Sequence, residues 1–180
     1  MRIVSGKLKG KILGAPAGIT TRPTSDRARQ ALFDIIMHAP WGGRELIENA
    51  TILDGCAGTG ALGLEAISRG AGFAHFIEQD PTALVALRAN IAACKITTAR
   101  VWDADVRRPP QGPPCQLVFL DPPYGKSLIA QVLSPLRTAG WIVPGSIIIA
   151  ETGREESAPT ENPLLADRKF GAARILIWRE

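Results

Sequence analysis

An aspartate, two prolines and a tyrosine form the most chemically suggestive segment of this 180-residue chain. They follow a short run of bulky apolar residues, which is typical of a buried strand. Proline fixes φ and donates no N–H, so this stiff turn presents acceptors that can localise the lone pair of a nucleobase amino group. A turn that only packs is the alternative. The predicted catalytic residues are Asp121, Pro122, Pro123 and Tyr124, the last stacking on the base; the chemistry requires no metal.

A glycine-rich loop lies upstream, between a predicted strand and a predicted helix. Residues 54–63 read Asp-Gly-Cys-Ala-Gly-Thr-Gly-Ala-Leu-Gly and contain the spacing GxGxxG. Such glycines let a ligand approach the backbone, and the N-terminus of the helix favours a negative group. Glu78 ends the next predicted strand, where it can accept hydrogen bonds from ribose hydroxyls. The loop alone does not distinguish a nicotinamide dinucleotide from S-adenosylmethionine.

Acidic residues at the strand ends distinguish these two cofactors. Asp54 would face a pyrophosphate unfavourably but would attract the ammonium group of a methionine moiety. Asp105 is suited to accept from an adenine amino group, although either aspartate could instead cap a helix or turn. We therefore predict S-adenosylmethionine as cofactor, with S-adenosylhomocysteine as product. The predicted cofactor-binding residues are Asp54, Cys56, Ala57, Gly58, Gly60, Glu78, Gln79, Asp105 and Val106.

The elements that must position these residues alternate along the chain. The predicted strands are 51–54, 73–78, about 99–102, 116–121 and 146–151, followed by a closing hairpin of 168–170 and 173–178. Helices are predicted from Thr24 or Ser25 to before Pro40, over 61–69, from Pro81 onward, and over 127–139 with an interruption at Pro135. This alternation predicts an α/β fold, with a mostly parallel seven-stranded sheet and a terminal antiparallel hairpin.

The basic residues are concentrated at the front of the chain. The net charge is +4, yet residues 1–30 carry seven Lys or Arg against one acid, and the remainder is slightly acidic. This asymmetry favours a polyanion contact at one end, with a solvated basic segment as the alternative. Runs at 2–4 and 11–13 predict a small N-terminal β-hairpin, and 14–23 a connector. In the first helix we expect Ala28, Leu32, Ile35 and Ile36 to face the core and Arg27 and Arg29 to lie off that face.

Composition excludes several classes of protein. The length predicts one domain able to bury a core without metal or disulfide. Three scattered cysteines without CxxC spacing argue for a reducing, cytoplasmic location. We find no apolar run long enough for a bilayer and no secretory signal, so no membrane association is expected.

The motifs together resemble a known family. Asp54-x-x-x-Gly58-x-Gly60 with Asp121 to Tyr124 is similar to class I S-adenosylmethionine-dependent methyltransferases acting on exocyclic amino groups. The segments 2–10, 21–33 and 60–66, with the late Lys169-Phe170-Gly171, resemble the bacterial 16S rRNA (guanine-N2)-methyltransferase family, RsmD. Cys56 and Phe170 depart from a frequent aromatic residue and a frequent tyrosine, respectively. The resemblance implies a Rossmann-like fold and methylation of guanine N2 in a small-subunit rRNA hairpin loop, helix 31.

The resemblance also implies a role for the basic end. Residues 1–23 would form an RNA-contacting hairpin and connector, and residues 24–180 the methyltransferase domain. The expected partner is 16S rRNA or the small ribosomal subunit, bound by a monomeric protein. The predicted RNA-binding residues are Arg2, Lys7, Lys9, Lys11, Arg22, Arg27 and Arg29.

Three other functions remain open from the sequence. A DNA adenine-N6 or cytosine-N4 methyltransferase could share the segment from Asp121 to Tyr124, but the chain has no room for a large target-recognition domain. An NAD-dependent oxidoreductase could use the glycine loop, but the segment from Asp121 to Tyr124 would then have no role in the reaction. A non-catalytic RNA-binding module would bind RNA without any cofactor.

Overall fold

A seven-stranded sheet forms the centre of the protein, with strand order β3-β2-β1-β4-β5-β7-β6. The computed structural model describes residues 1–15, 26–122, 128–160, 162–171 and 173–180. The strands are β1 (Thr51–Asp54), β2 (Phe73–Glu78), β3 (Ala99–Asp103), β4 (Leu117–Leu120), β5 (Ile147–Gly153), β6 (Leu164–Phe170) and β7 (Ala173–Arg179). The helices are α1 (Asp26–His38), α2 (Arg44–Ile47), α3 (Ala61–Ser68), α4 (Pro81–Ala93) and α5 (Leu128–Thr138).

Strands β1 to β5 are parallel, and β7 lies antiparallel between β5 and β6. The predicted α/β fold, with its mostly parallel sheet and closing antiparallel hairpin, is confirmed. The chain builds outward from β1 through β2 to β3, then crosses to β4 on the other side of β1. The gap between β1 and β4 is therefore the topological switch point, where ligands bind in sheets of this kind.

Apolar side chains cover both faces of the sheet, because neighbouring residues of a strand point to opposite sides. Ile52 packs in the core on the α1 and α3 side, together with Phe33 and Phe119. The adjacent Leu53 packs on the other side, in the core that contains Trp141 and Trp178. The central strands are buried on both faces, which explains why their sequences are runs of apolar residues rather than alternating patterns.

Helix α5 runs without interruption through Pro135, contrary to the expected break. Proline removes one backbone donor, but the next turn is intact because Ala139 N–H donates to the Pro135 carbonyl at 2.9 Å. The apolar face Ile129, Val132, Leu133 and Leu136 is buried, so tertiary packing offsets the missing hydrogen bond.

The first fifteen residues form a short hairpin around a 3-10 turn at Gly6–Leu8, with an antiparallel bridge between Arg2 and Ile12. It docks on α3, where Glu65 accepts the N–H groups of Val4 and Ser5 at 2.8 and 3.0 Å. The hairpin is therefore held against the body of the protein. The predicted boundary between residues 23 and 24 lies outside the described residues.

None of the helices in the described part of the chain is both long enough and apolar enough to span a bilayer.

Candidate active site

Asp54 ends β1 at the switch point and is almost fully buried. Its Oδ2 accepts the Gly63 N–H at 3.0 Å, whereas Oδ1 has no hydrogen-bond partner among the described residues. Burial raises the pKa of Asp54 to about 7; the Gly63 bond opposes that rise and the negative charge of Glu78 adds to it. An orphaned, buried carboxylate oxygen is the feature expected where a cationic ligand group completes the site.

The loop after Asp54 is a tight turn into α3. Gly60 caps the helix with φ +79°, a left-handed conformation that favours glycine, and a Cβ there would overlap Leu87. The Gly60 N–H donates to the Ala57 carbonyl at 2.7 Å, and the Ala57 N–H to the Ile77 carbonyl at 3.1 Å. The predicted cofactor-binding positions Ala57, Gly58 and Gly60 thus lie on one compact turn tied to β2.

Glu78, at the end of β2, holds this turn in place. Its Oε2 accepts the Gly58 N–H at 2.7 Å, and its Oε1 accepts the N–H groups of Gln79 and Asp80 at 2.8 Å each. The sequence indicated a ribose contact for Glu78 but not this clamp on the glycine loop. The sequence does contain a signal for this contact, because the side chain of an acid can accept hydrogen bonds from the backbone N–H groups of the two residues that follow it.

Cys56 lies among the acidic residues at the carboxyl edge. Burial raises the pKa of its thiol, and the charges of four carboxylates raise it further: Asp54, Asp121, Glu78 and Asp105. Since these four acids act on one thiol, the structure brings together the strand-end acids that the sequence placed at one edge. The raised pKa keeps Cys56 a neutral thiol, which argues against a nucleophilic role.

Asp105 has a partner that the sequence did not predict. It forms an ion pair with Arg107 at 2.7 Å and also accepts from the Arg107 backbone N–H at 2.9 Å. These hydrogen bonds hold the pKa of Asp105 below its usual range. Val106, between them, approaches Gly55 in the glycine loop, so this turn borders the predicted cofactor site.

Asp121 and Pro122 follow β4, beside the end of β1. The two strands are joined at this level by the Gly55 N–H, which donates to the Phe119 carbonyl at 2.8 Å. Parallel pairing of Asp54 with Phe119 places the Asp54 and Asp121 positions at the same edge of the sheet. Pro123 and Tyr124, the other two predicted catalytic residues, lie outside the described residues.

The basic front of the chain is mostly exposed. Lys7, Lys9 and Lys11 on the hairpin are exposed, as are Arg2 and Arg27; Arg2 also pairs with Asp26 at 3.6 Å. Arg22 lies outside the described residues.

Arg29 is the exception, and its predicted RNA contact is wrong. Its side chain is completely buried in an ion-pair cluster, 2.9 Å from Asp26 and 3.6 Å from the buried Glu65. It also donates to the Arg2 carbonyl. The buried face of α1 is Arg29, Leu32, Phe33 and Ile36, a helical i, i+3, i+4, i+7 pattern that includes a charged residue because its partners are buried with it.

Comparison with known proteins finds relatives that are named as methyltransferases. The chain is 36% identical over 162 residues to "Ribosomal RNA small subunit methyltransferase D" of Escherichia coli K12, covering 89% of this chain and 78% of the relative. It is 34% identical to the protein of that name from Haemophilus influenzae, over 99% of this chain and 93% of the relative. The solved structure titled "Putative methyltransferase yhhF from Escherichia coli" superposes with a TM-score of 0.84 at 32% identity, covering 99% of this chain and 97% of that one.

The doubly wound sheet, the glycine loop at its switch point and these relatives define a methyltransferase with a Rossmann-like fold. The family model described as "Conserved hypothetical protein 95" matches residues 1–179. The chain belongs to that family, the RsmD family.

Proposed function

We propose that this protein transfers a methyl group from S-adenosylmethionine to the exocyclic N2 of a guanine in 16S rRNA of the small ribosomal subunit. The observation that carries the proposal is the juxtaposition, at adjacent strand ends, of the buried Asp54 carboxylate, whose Oδ1 has no hydrogen-bond partner among the described residues, and the Asp121-Pro122 segment. The names of the relatives, which specify small-subunit rRNA, support the substrate class.

The residues at the switch point fit the proposed cofactor. The Asp54 Oδ1 is the proposed acceptor for the ammonium group, and we assign to Glu78 the hydrogen bonds from the ribose hydroxyls. Gly58, Cys56 and Ala57 supply the backbone of the turn, while Asp105 and Val106 border it on the β3 side and Gln79 follows Glu78. When bound, S-adenosylmethionine supplies a methyl group activated by a positively charged sulfur. The acids at this edge of the sheet suit such a cationic centre better than they suit a pyrophosphate.

The chain's own residues orient the attacking amino group. We assign to the Asp121 carboxylate and the Pro122 carbonyl the role of accepting hydrogen bonds from N2, which localises the nitrogen lone pair. The bound cofactor would supply the methyl group to this nitrogen, which would release one proton, and Asp121 is the assigned acceptor of that proton. Positioning and electrostatics account for the rate, and Pro123 and Tyr124 keep their sequence-based assignment as catalytic residues, with Tyr124 stacking on the base.

The exposed lysines of the hairpin are the proposed RNA contact. Lys7, Lys9 and Lys11 lie on one short segment held against α3 by the Glu65 bonds. A positively charged surface that is rigidly attached to the catalytic domain can fix the orientation of a phosphate backbone. We further propose that Arg2, Arg22 and Arg27 belong to this surface, as the sequence predicts. We also propose that the protein acts as a cytoplasmic monomer.

Calorimetry with S-adenosylhomocysteine and with NAD tests the cofactor assignment. We expect S-adenosylhomocysteine to bind and NAD not to bind at the same protein concentration. Binding of NAD alone would favour the oxidoreductase alternative and contradict the proposal.

Substitution Asp121→Ala tests the catalytic assignment. It should abolish methyl incorporation into rRNA while S-adenosylhomocysteine affinity and the thermal midpoint stay near their original values. Asp103→Ala, at the exposed aspartate that ends β3, serves as the matched comparison and should leave turnover near its original value, whereas turnover retained by Asp121→Ala would refute the role of Asp121.

A further inference from the structure

A cavity of about 240 Å³ lies beside the candidate active site, on the β5 side. Its walls come from the start of α5 (Ile129 and Ala130), the end of β5 (Thr152) and the loop after β5 (Glu156 to Pro159). This volume far exceeds the ~30 Å³ share of one water molecule and falls just below the ~300 Å³ where drug-sized pockets begin. The cavity is therefore on the scale of a single ring system.

The strand register places this cavity next to the catalytic turn. In the parallel pair of β4 and β5, Leu120 lies opposite Ala150. Asp121 and Pro122 directly follow this pair on the β4 side, while β5 continues through Glu151 and Thr152 to Gly153. Thr152 lines the cavity, so the cavity lies one strand away from the proposed acceptors of the amino group.

The loop that carries Glu156 is held in one conformation. The Gly153 N–H donates to Glu156 Oε1 at 3.3 Å, and the Glu156 N–H donates to the Gly153 carbonyl at 3.1 Å. A Cβ at position 153 would lie only 2.9 Å from that carboxylate oxygen, so glycine allows the close approach. Arg174 donates to the Glu156 carbonyl at 2.9 Å and is itself fixed by two bonds to Asp167, at 2.9 and 2.7 Å.

The chemistry of the lining is selective. Ile129, Ala158 and Pro159 provide apolar contacts for the face of an aromatic ring. Glu156 provides a carboxylate, which accepts hydrogen bonds and donates none, and one of its oxygens accepts the Gly153 N–H. Guanine carries a hydrogen on N1, next to the carbon that bears N2, whereas adenine N1 and cytosine N3 are acceptors. A carboxylate at this edge would therefore attract guanine and repel the other two amino-bearing bases.

We propose that this cavity receives the target guanine and that the Glu156 carboxylate accepts its N1–H, which makes Glu156 the residue that selects guanine. This inference rests on the proposed function, since it requires methylation of a base amino group at Asp121. The base enters between α5 and the loop after β5, and its N2 reaches the neighbouring β4 end.

The first experiment compares Glu156→Gln with Glu155→Gln, using methylation kinetics on 16S rRNA. Glu155 is the adjacent residue, 83% exposed and paired only with Arg154 among the ion pairs of the described residues, which makes it a charge-matched control. We expect Glu156→Gln to lower kcat/KM for RNA by roughly 10- to 100-fold, the effect of losing a hydrogen bond to a charged group. Affinity for S-adenosylhomocysteine should not change. Equal kinetics for the two variants would overturn the assignment.

A base analogue separates recognition from a merely structural role of Glu156. The same RNA is prepared with 2-aminopurine at the methylated position, which keeps the 2-amino group but has an acceptor at N1. The unaltered protein should have a much higher kcat/KM for the guanine RNA than for the 2-aminopurine RNA. Glu156→Gln should lower the ratio of these two values at least tenfold, because the glutamine amide can donate to N1. A variant that slows both substrates equally would contradict the proposal.

A third substitution keeps the test valid if Glu156→Gln folds poorly. Ala158 is an exposed loop residue, and Ala158→Leu adds volume to the cavity without removing a hydrogen bond. It should reduce kcat/KM for RNA while S-adenosylhomocysteine binding is retained; unchanged kinetics would overturn the cavity as the base site. If the unaltered protein methylates no rRNA, the proposed function fails as well, whereas methylation with no effect of these variants rejects only the present inference.

Discussion

At the scale of single residues, Asp54 shows most clearly what the site requires. Its carboxylate was predicted from its position at a strand end, before a glycine loop, and the structure adds that one oxygen is buried without a partner among the described residues. The sequence could not show this, because burial of Asp54 depends on the packing of α3, β4 and the glycine loop together. Because burial disfavours the charged form of the carboxyl, the pKa of Asp54 is raised to about 7.

The pH dependence of stability tests the state of Asp54. A carboxyl with a folded pKa near 7 and an ordinary value of 3.8 binds more protons when folded than when unfolded between those pH values. The free energy of unfolding of the unliganded protein should therefore fall as pH rises from about 4 to about 7. Asp54→Asn should remove this part of the slope and stabilise the unliganded protein above pH 7 by on the order of 1 to 4 kcal/mol.

Denaturant unfolding of both proteins across that pH range measures the difference. A wild-type slope that Asp54→Asn leaves unchanged would show that Asp54 is not the titrating group. The same variant should bind S-adenosylhomocysteine more weakly, because the ammonium group then lacks a negative partner.

Arg29 makes a second prediction at the residue scale. Removing Arg29 takes away a cationic partner of the buried Glu65 carboxylate, so Arg29→Ala should destabilise the fold by about 3 to 5 kcal/mol. Arg27→Ala, two residues away and exposed, is the matched control and should change stability by less than about 0.5 kcal/mol. Thermal or denaturant unfolding of the two variants distinguishes them, and similar stabilities would contradict the buried cluster.

At the scale of elements, the strands followed from the sequence more faithfully than the helix faces. Buried parallel strands are recognisable as short apolar runs bounded by turns, and all seven strands predicted for the sheet are present, although β6 begins earlier than expected. The N-terminal runs 2–4 and 11–13 form only a bridge between Arg2 and Ile12. The face of α1 was predicted wrongly because a sequence pattern assigns an arginine to solvent. Only the tertiary arrangement shows that Glu65 of α3 lies buried beside Arg29.

The hairpin predicts a separation between RNA binding and cofactor binding. Reversing Lys7, Lys9 and Lys11 to Glu should weaken RNA affinity and flatten its dependence on salt, because fewer phosphates are neutralised. Cofactor affinity should not change, since these side chains are exposed on the hairpin rather than placed in the glycine loop. Filter binding across a salt series measures the first effect and calorimetry the second.

Reversal of Arg44, Arg100 and Arg168, exposed residues outside the hairpin, controls for net charge. Equal loss of RNA affinity in the two triple variants would contradict a localised contact.

At the scale of the whole molecule, the topology gathers the chemistry at one edge. The order of the strands brings Asp54 and Asp121, 67 residues apart in the chain, to neighbouring strand ends. This much is predictable, because alternating strands and helices produce few topologies. The cavity beside Glu156 is not, because it depends on a loop fixed by Arg174 of β7 and on Gly153, whose contacts have no periodic signature.

The charge of the molecule is also divided between two regions. A net charge of +4 consists of a basic front segment and a slightly acidic remainder. The acids cluster around Cys56 at the carboxyl edge, and the exposed lysines lie on the hairpin. The molecule therefore has an acidic edge, which the proposal assigns to a cationic cofactor, and a separate basic surface, which it assigns to RNA.

Mass mapping of 16S rRNA after incubation with the protein and isotopically labelled S-adenosylmethionine tests the central claim most directly. The measurement reports the nucleotide, the base and the methylated atom together, and Asp121→Ala serves as the negative control. We predict one labelled methyl group on the N2 of a single guanine, absent with Asp121→Ala. A label on adenine, on cytosine or on a guanine atom other than N2, or no label on RNA that the protein binds, would contradict the account.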